Sequence, residues 1–387
     1  MGDGVVMGGL RAWLVVAALA LGGCSAARAD APAEAQSQWV QVTPAPTRLD
    51  GRLFNATCSH AQGADPAYRF WFRRGTADGL VVFFDSGGAC WDDVTCAIPR
   101  RRDADRDDDG FYKAELIPTD DPNRFSGIFE LDNPRNPVRD WSIVYVPYCT
   151  GDVHSGSNTA LYTDPDTGAP YEIEHRGADN FRVVLSWLKE NFAAPGQILV
   201  AGSSAGAYGA STHYARIRAA FPRGRALMLG DAGQGVMTQT FLDQRNASWR
   251  FALPREVFGR NATMTPATDI VARLAARYPN DRFAQYTTAH DITQSSFYAL
   301  MGAENACIAW TSNMTTALAQ RQHAPNFRSY LASGETHAIL RTPRFYTETS
   351  GGAPLAEWLA AALNQNGAGW QNRACEECMV RPTQCAY

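Results

Sequence analysis

The sequence predicts an α/β fold: a mainly parallel central sheet flanked by helices and stabilised by disulfides. Three observations predict it. Short apolar runs at 80–84, 143–146, 198–201, 226–229 and 330–332 have the length of fully buried strands. Segments with helical periodicity lie among them, and strands that alternate with helices build parallel sheets. The third run leads straight into Gly202-Ser203-Ser204-Ala205-Gly206. In α/β-hydrolase-like folds a Gly-x-Ser-x-Gly turn joins a strand to a helix in this way.

Composition agrees. Of 387 residues, 45% are apolar and 11% aromatic, which suits a large core and excludes wholesale disorder. The net charge is −4 and no basic block stands out, so no nucleic-acid partner is expected. Only Lys113 and Lys189 are lysines among 35 basic residues.

The chain begins with an expected export signal. Residues 12–23 are an apolar run preceded by Arg11. A signal-peptide core needs about 7–15 such residues and a membrane span about 18 or more. Leu21-Gly22-Gly23-Cys24 reads as a bacterial-type lipobox with Cys24 as the lipidated residue; Ala27-Arg28-Ala29 before Asp30 is a competing cleavage site for ordinary secretion. The expected organisation is therefore 1–23 signal peptide, 24–45 flexible tether and 46–387 a single domain. The chain is expected in the cell envelope as a lipoprotein, or secreted, and any membrane contact is expected through the lipid alone. Without Cys24 eight cysteines remain: 58, 90, 96, 149, 307, 375, 378 and 385. An even number in an oxidising compartment marks all eight as disulfide candidates, with Cys90–Cys96 a local pair. Cys375-x-x-Cys378 lacks the second pair of a zinc site.

Taken in chain order, the strand at 80–84 runs into Asp85-Ser86-Gly87-Gly88-Ala89-Cys90-Trp91. Glycines after an early strand let backbone amides face a bound carbonyl oxygen, so Gly88 and Ala89 are expected oxyanion donors beside Ala205. Trp91 is expected to wall the pocket. Asp105-x-Asp107-x-Asp109-Gly110 resembles the start of a calcium loop, but Leu116 stands where the closing glutamate belongs, and a solvated loop is expected. No metal or cofactor is expected. Phe181, Val184, Leu185, Leu188 and Phe192 fall on one helical face, with Asp179 near its start. A further helix is expected at 355–363.

The elbow makes Ser204 the expected nucleophile. A serine hydroxyl needs a base, and the base an orienting acid. Histidines 213, 290, 323 and 337 follow it. His213 falls within the helix that the elbow starts, where packing or surface exposure is expected. His337 follows a late strand and is the expected base. For the acid, Asp231 and Asp291 both follow strand-like segments, and chain order does not separate them; Asp231 could instead hold the loop beside the elbow.

Together these pieces resemble the pectin acetylesterase family, whose animal member is the carboxylesterase Notum, with the lipobox pointing to a bacterial member. The likeness runs from about Cys58 to His337. It is most specific in Val146-Pro147-Tyr148-Cys149-Thr150-Gly151-Asp152-Val153-His154-Ser155-Gly156. The resemblance implies Asp291 as the acid, Cys58–Cys149 as a disulfide, and the 86–91 segment with Cys96 as the oxyanion region. His154, within the signature, is expected either at the substrate pocket or in a structural hydrogen bond. The chain departs from many members at Ser86, where they have glycine, and at Ala89, where they place an aromatic. The resemblance implies an exported serine carboxylesterase that cleaves an ester, an O-acetyl group of a polysaccharide or a similar acyl ester, through an acyl-enzyme. The alternatives are a lipase- or polyester-type esterase that prefers longer acyl groups, or a non-catalytic surface protein that binds glycan or lipid on the same scaffold.

Overall fold

Among the described residues nine strands build one sheet, which we label β1 Val40–Val42, β2 Phe70–Arg73, β3 Gly79–Phe84, β4 Ser142–Val146, β5 Gln197–Ser203, β6 Arg225–Asp231, β7 Arg282–Thr288, β8 Phe327–Ala332 and β9 Arg373–Ala374. The structure, a computed structural model, describes residues 1–2, 38–100, 110–260, 262–376 and 378. The lipidation candidate Cys24, Asp105, Asp107 and Asp109 of the acidic loop, and Cys385 lie outside the described residues.

The spatial order is β1-β2-β4-β3-β5-β6-β7-β8-β9. Every pairing from β4 to β9 is parallel, and β1 and β2 add an antiparallel edge. All five strands expected from the apolar runs are present. The six residues of β3 and the five of β4 are buried without exception. Each buried Val, Leu or Phe contributes roughly 1.5–3 kcal/mol, which offsets the entropy of ordering the chain. Val40–Val42 pairs with β2, so the tether expected over 24–45 gives way to sheet at residue 40.

Strand β7 carries no continuous apolar run. Gln285, Thr287 and Thr288 interrupt it, yet all three are buried. Their polar groups find partners: Arg321 Nη1 donates to Gln285 Oε1 at 2.6 Å, and Gln285 Nε2 donates to the Gly233 carbonyl at 3.1 Å. A buried polar group costs little only when it is bonded in this way.

The helices that matter for the site are α1 Gly177–Asn191, α2 Ala205–Ala220, α3 Gln239–Trp249 and α4 Ile292–Leu300. In α1, Phe181, Val184 and Leu188 are buried as the periodicity predicts, Leu185 is half-buried and Phe192 forms the cap. Among the described residues no helix is long and apolar enough to cross a membrane.

Cys58–Cys149 links positions 91 residues apart, and Cys90–Cys96 closes a short loop after β3. Cys375 and Cys378 pair with each other, and Cys307 is also disulfide-bonded.

Candidate active site

The parallel strands all present their carboxyl ends on one side, where open α/β sheets place their sites. Register sets the neighbours there: Gly202 lies beside Phe84, Ser203 beside Asp231, and Asp231 beside Tyr286. The candidate residues therefore sit at the ends of β3, β5, β6 and β7 and in the loop after β8.

Ser204 stands between β5 and α2 at φ 56°, ψ −120°, a region that side-chain-bearing residues avoid. Tight contacts hold it there. A Cβ on Gly202 would run into the Gly206 carbonyl, and one on Gly206 into the Phe84 carbonyl. The Ser204 amide donates to the Asp231 carbonyl at 2.7 Å. Because α2 begins at Ala205, the amide of that residue has no acceptor within the helix.

Ser204 and His337 line one cavity of about 370 Å³, together with Gly87 and Gly88. His337 Nδ1 donates to both oxygens of Asp291, at 2.9 and 2.8 Å. Asp291 is fully buried and is the N-cap of α4, accepting from the Gln294 amide at 2.9 Å.

Asp231 does different work. It accepts from the Ser203 hydroxyl at 2.7 Å and from the amides of Ile339 at 3.0 Å and Leu340 at 2.9 Å. It thus fastens the loop after His337 to the residue before Ser204. Burial pushes its pKa up, and the hydrogen bonds and nearby His337 work against that rise.

Three expected site residues are placed elsewhere. The Ala89 amide donates to the Phe111 carbonyl at 3.0 Å, so it is engaged in a backbone bridge and does not serve as an oxyanion donor. Gly88, at φ 72°, stays on the cavity wall beside Ser86 and Gly87. Trp91 is buried one layer behind the cavity, edge-on to Phe241 at 4.8 Å and 6.4 Å from Phe297; it is Phe297 that forms the wall. His154 is buried away from the cavity. Its Nε2–H donates to the Asp85 carbonyl at 2.8 Å, and its own carbonyl accepts from His213 Nε2 at 2.6 Å. His213 remains in α2, packed 4.4 Å from Phe181.

Other cavity residues carried no signal in the sequence: Phe125, Phe297, Arg124 and Arg341. All come from loops or helix faces remote from the elbow motif. The one available hint was Asp85, a charge directly after an apolar strand, which calls for a buried partner.

The family model described as Pectinacetylesterase matches residues 47–297. The chain belongs to the pectinacetylesterase family. It is a carboxylic ester hydrolase. The match takes in Ser204 and Asp291 and ends before His337. Two structures of the Wnt deacylase Notum from Drosophila share the α/β-hydrolase fold. One is 17% identical, with 87% of this chain and 96% of that chain covered and a TM-score of 0.57. The other is 18% identical, with 87% and 97% covered and a TM-score of 0.58. No curated protein matches the sequence.

The buried histidines are expected to make the fold of this esterase sensitive to acid. Burial pushes His154 and His175 down to about 4, and burial with the nearby Arg216 charge holds His213 well below its ordinary value. Unfolded histidine titrates at about 6.5. Below that pH the unfolded chain binds protons that the folded chain refuses, so stability falls as pH drops from about 6.5 to about 4. Asp152 opposes this, because burial raises it to about 6 and the folded state takes its proton first. Asp231 and Asp281, also raised by burial, oppose it in the same sense. The two histidines held at about 4 outweigh Asp152, and His213 adds to them, so a net loss is expected. Thermal melts between pH 7.5 and 4 are expected to show the decline, and a flat profile would contradict it.

Proposed function

We propose that the chain is a serine esterase that works through an acyl-enzyme. The observation that carries this reading is the placement of Ser204, on a strained strand-to-helix turn, in the same cavity as His337, whose Nδ1 is held by the buried Asp291. The carboxylate keeps the ring proton on Nδ1 and leaves Nε2 as the base. His337 takes the Ser204 proton as the oxygen attacks the ester carbonyl, then gives it to the leaving alcohol. The buried Asp291 stabilises the imidazolium formed between these steps. Amides of Ala205 and Gly88 donate to the oxyanion; one such donor is typically worth about 2.7–4 kcal/mol. Water then repeats the sequence and frees the acid.

The family points to an O-acetyl ester of a polysaccharide or a similar acyl ester as substrate. A longer acyl group is the second reading. One feature favours it: an apolar groove of about 240 Å³ formed by Ile292, Phe297, Leu300 and Phe111 adjoins the cavity and shares Thr293 and Phe297 with it. We read residues 46–387 as one catalytic domain, exported under the 1–23 signal and anchored by a lipid on Cys24. The disulfides of this domain suit an oxidising compartment.

The test is hydrolysis of p-nitrophenyl esters from acetyl to palmitoyl. Ser204→Ala is expected to lower kcat by about 10⁴-fold or more. A rate that falls steeply beyond acetyl supports the deacetylase, and a rise with chain length supports the second reading. Equal rates in the variant and the parent would overturn the serine mechanism.

A further inference from the structure

We propose that Arg341 is a positioning residue whose guanidinium ties the loop that carries His337 to the glycine turn facing the ester oxygen. This inference rests on the serine esterase reading above. Arg341 lies four residues after His337 in the chain. Asp85 lies at the other end of the tie, between the last residue of β3 and Ser86-Gly87-Gly88. The two are 256 residues apart in sequence and form an ion pair through Arg341 Nη1 and Asp85 Oδ1. The second arm of the fork, Nη2, donates to Ser86 Oγ at 2.8 Å. One side chain thus grips two consecutive residues at the root of the turn. The second arm thus depends on the Ser86 hydroxyl, which a glycine or alanine would not supply.

The grip is braced on both sides. Lys113 Nζ donates to the other oxygen of Asp85 at 2.6 Å and to Asp120 at 2.6 Å. Asp85 is fully buried and Asp120 nearly so. Two cations and two carboxylates make the set neutral, which lets it persist away from water. Burial works to raise the Asp85 pKa, yet the charges of Arg341 and Lys113 overcome it and hold the group at about 2, so the pair stays ionised. The guanidinium lies 4.5 Å over the Phe125 ring, which fixes its plane. A planar fork reaches Asp85 and Ser86 together, whereas a lysine reaches one point.

If the tie sets geometry, its loss lowers kcat and leaves KM almost unchanged. A displacement of about 1 Å at a reacting group can cost about 10²-fold. Arg341→Gln in the full mature chain is expected to lower kcat for p-nitrophenyl acetate by about 100-fold. The loss is expected to be the same for acetyl and butyryl esters, and labelling of Ser204 by a fluorophosphonate is expected to slow in parallel. Arg341→Lys, which keeps the charge, is expected to recover part of the rate. Ser86→Ala removes one arm, and is expected to lower kcat by a smaller factor at unchanged melting temperature. These two variants decide the matter if Arg341→Gln does not fold. Parent-like kcat in both Arg341→Lys and Ser86→Ala would overturn the proposal. A rise in KM at constant kcat would overturn it too, because Arg341 would then bind substrate. Failure of the parent reading looks different: the unaltered protein would resist the fluorophosphonate and match Ser204→Ala, and the Arg341 proposal would fall with it.

Discussion

Asp291→Asn is expected to lower kcat by about 10⁴-fold with little change in melting temperature. Two features of the site lead to this split. Asp291 presents both oxygens to His337 Nδ1, so an amide in its place removes the charge opposite the imidazolium and favours the wrong tautomer. The same side chain caps α4 by accepting from Gln294, and asparagine caps a helix as well as aspartate does. The fold is therefore spared while the chemistry fails. Asp231→Asn is the matched control. Its carboxylate receives the Ser203 hydroxyl and the amides of Ile339 and Leu340, so the substitution turns an N–H donor toward donors. A loss on the order of 2 kcal/mol in stability is expected, because hydrogen bonds to buried charged groups contribute about that much. Melting curves and steady-state rates on the two variants check the assignment. It fails if Asp231→Asn, while folded, loses the larger share of kcat.

The second large effect is expected at the elbow. Gly206→Ala adds one methyl group, and that methyl would collide with the Phe84 and Asp85 carbonyls. Those atoms belong to the end of β3 and the root of the Gly87-Gly88 turn, and main chain cannot swing aside as a flexible side chain would. Either the first turn of α2 shifts or the end of β3 does. A shift of α2 moves Ser204 and the Ala205 amide, and a shift of β3 moves Gly88. We expect a loss of about 3 kcal/mol or more in stability from overpacking. In the protein that folds, kcat is expected to fall at least about 10²-fold. Chemical denaturation and ester hydrolysis read the two effects separately. A variant with unchanged stability and rate would show that the close approach of α2 to β3 is not needed.

Much of this site was legible from local signals. An apolar strand that meets Gly-x-Ser-x-Gly specifies its own turn, because only glycines tolerate the backbone contacts on either side of Ser204. The strands at 80–84, 143–146, 198–201 and 226–229 declared themselves by continuous apolar runs, since both faces of a parallel sheet are covered. The Cys90–Cys96 pair was local as well. Strand β7 was harder to read because polar residues interrupt it: Gln285 and Thr288 are satisfied by groups far along the chain, and Thr287 bonds the carbonyl of its neighbour Thr288.

What the sequence determined by itself was the elbow, the strand set and the chain order of the candidate residues. The tertiary structure decided what each side chain touches. Asp231 ends one strand and Asp291 follows another, and the residues alone left them equal. Sheet register and the start of α4 turn one toward the elbow and the base loop, and the other toward His337 Nδ1. The Ala89 amide was a reasonable donor until the Phe111 carbonyl occupied it, and Trp91 faced the pocket until Phe297 came between them. His154 disappeared beneath Asp85, and Arg341 arrived at the same residue from 256 positions away. Chain spacing fixes which groups are available. The direction in which a buried group points is set by its hydrogen-bond partner, and here those partners come from other strands and loops.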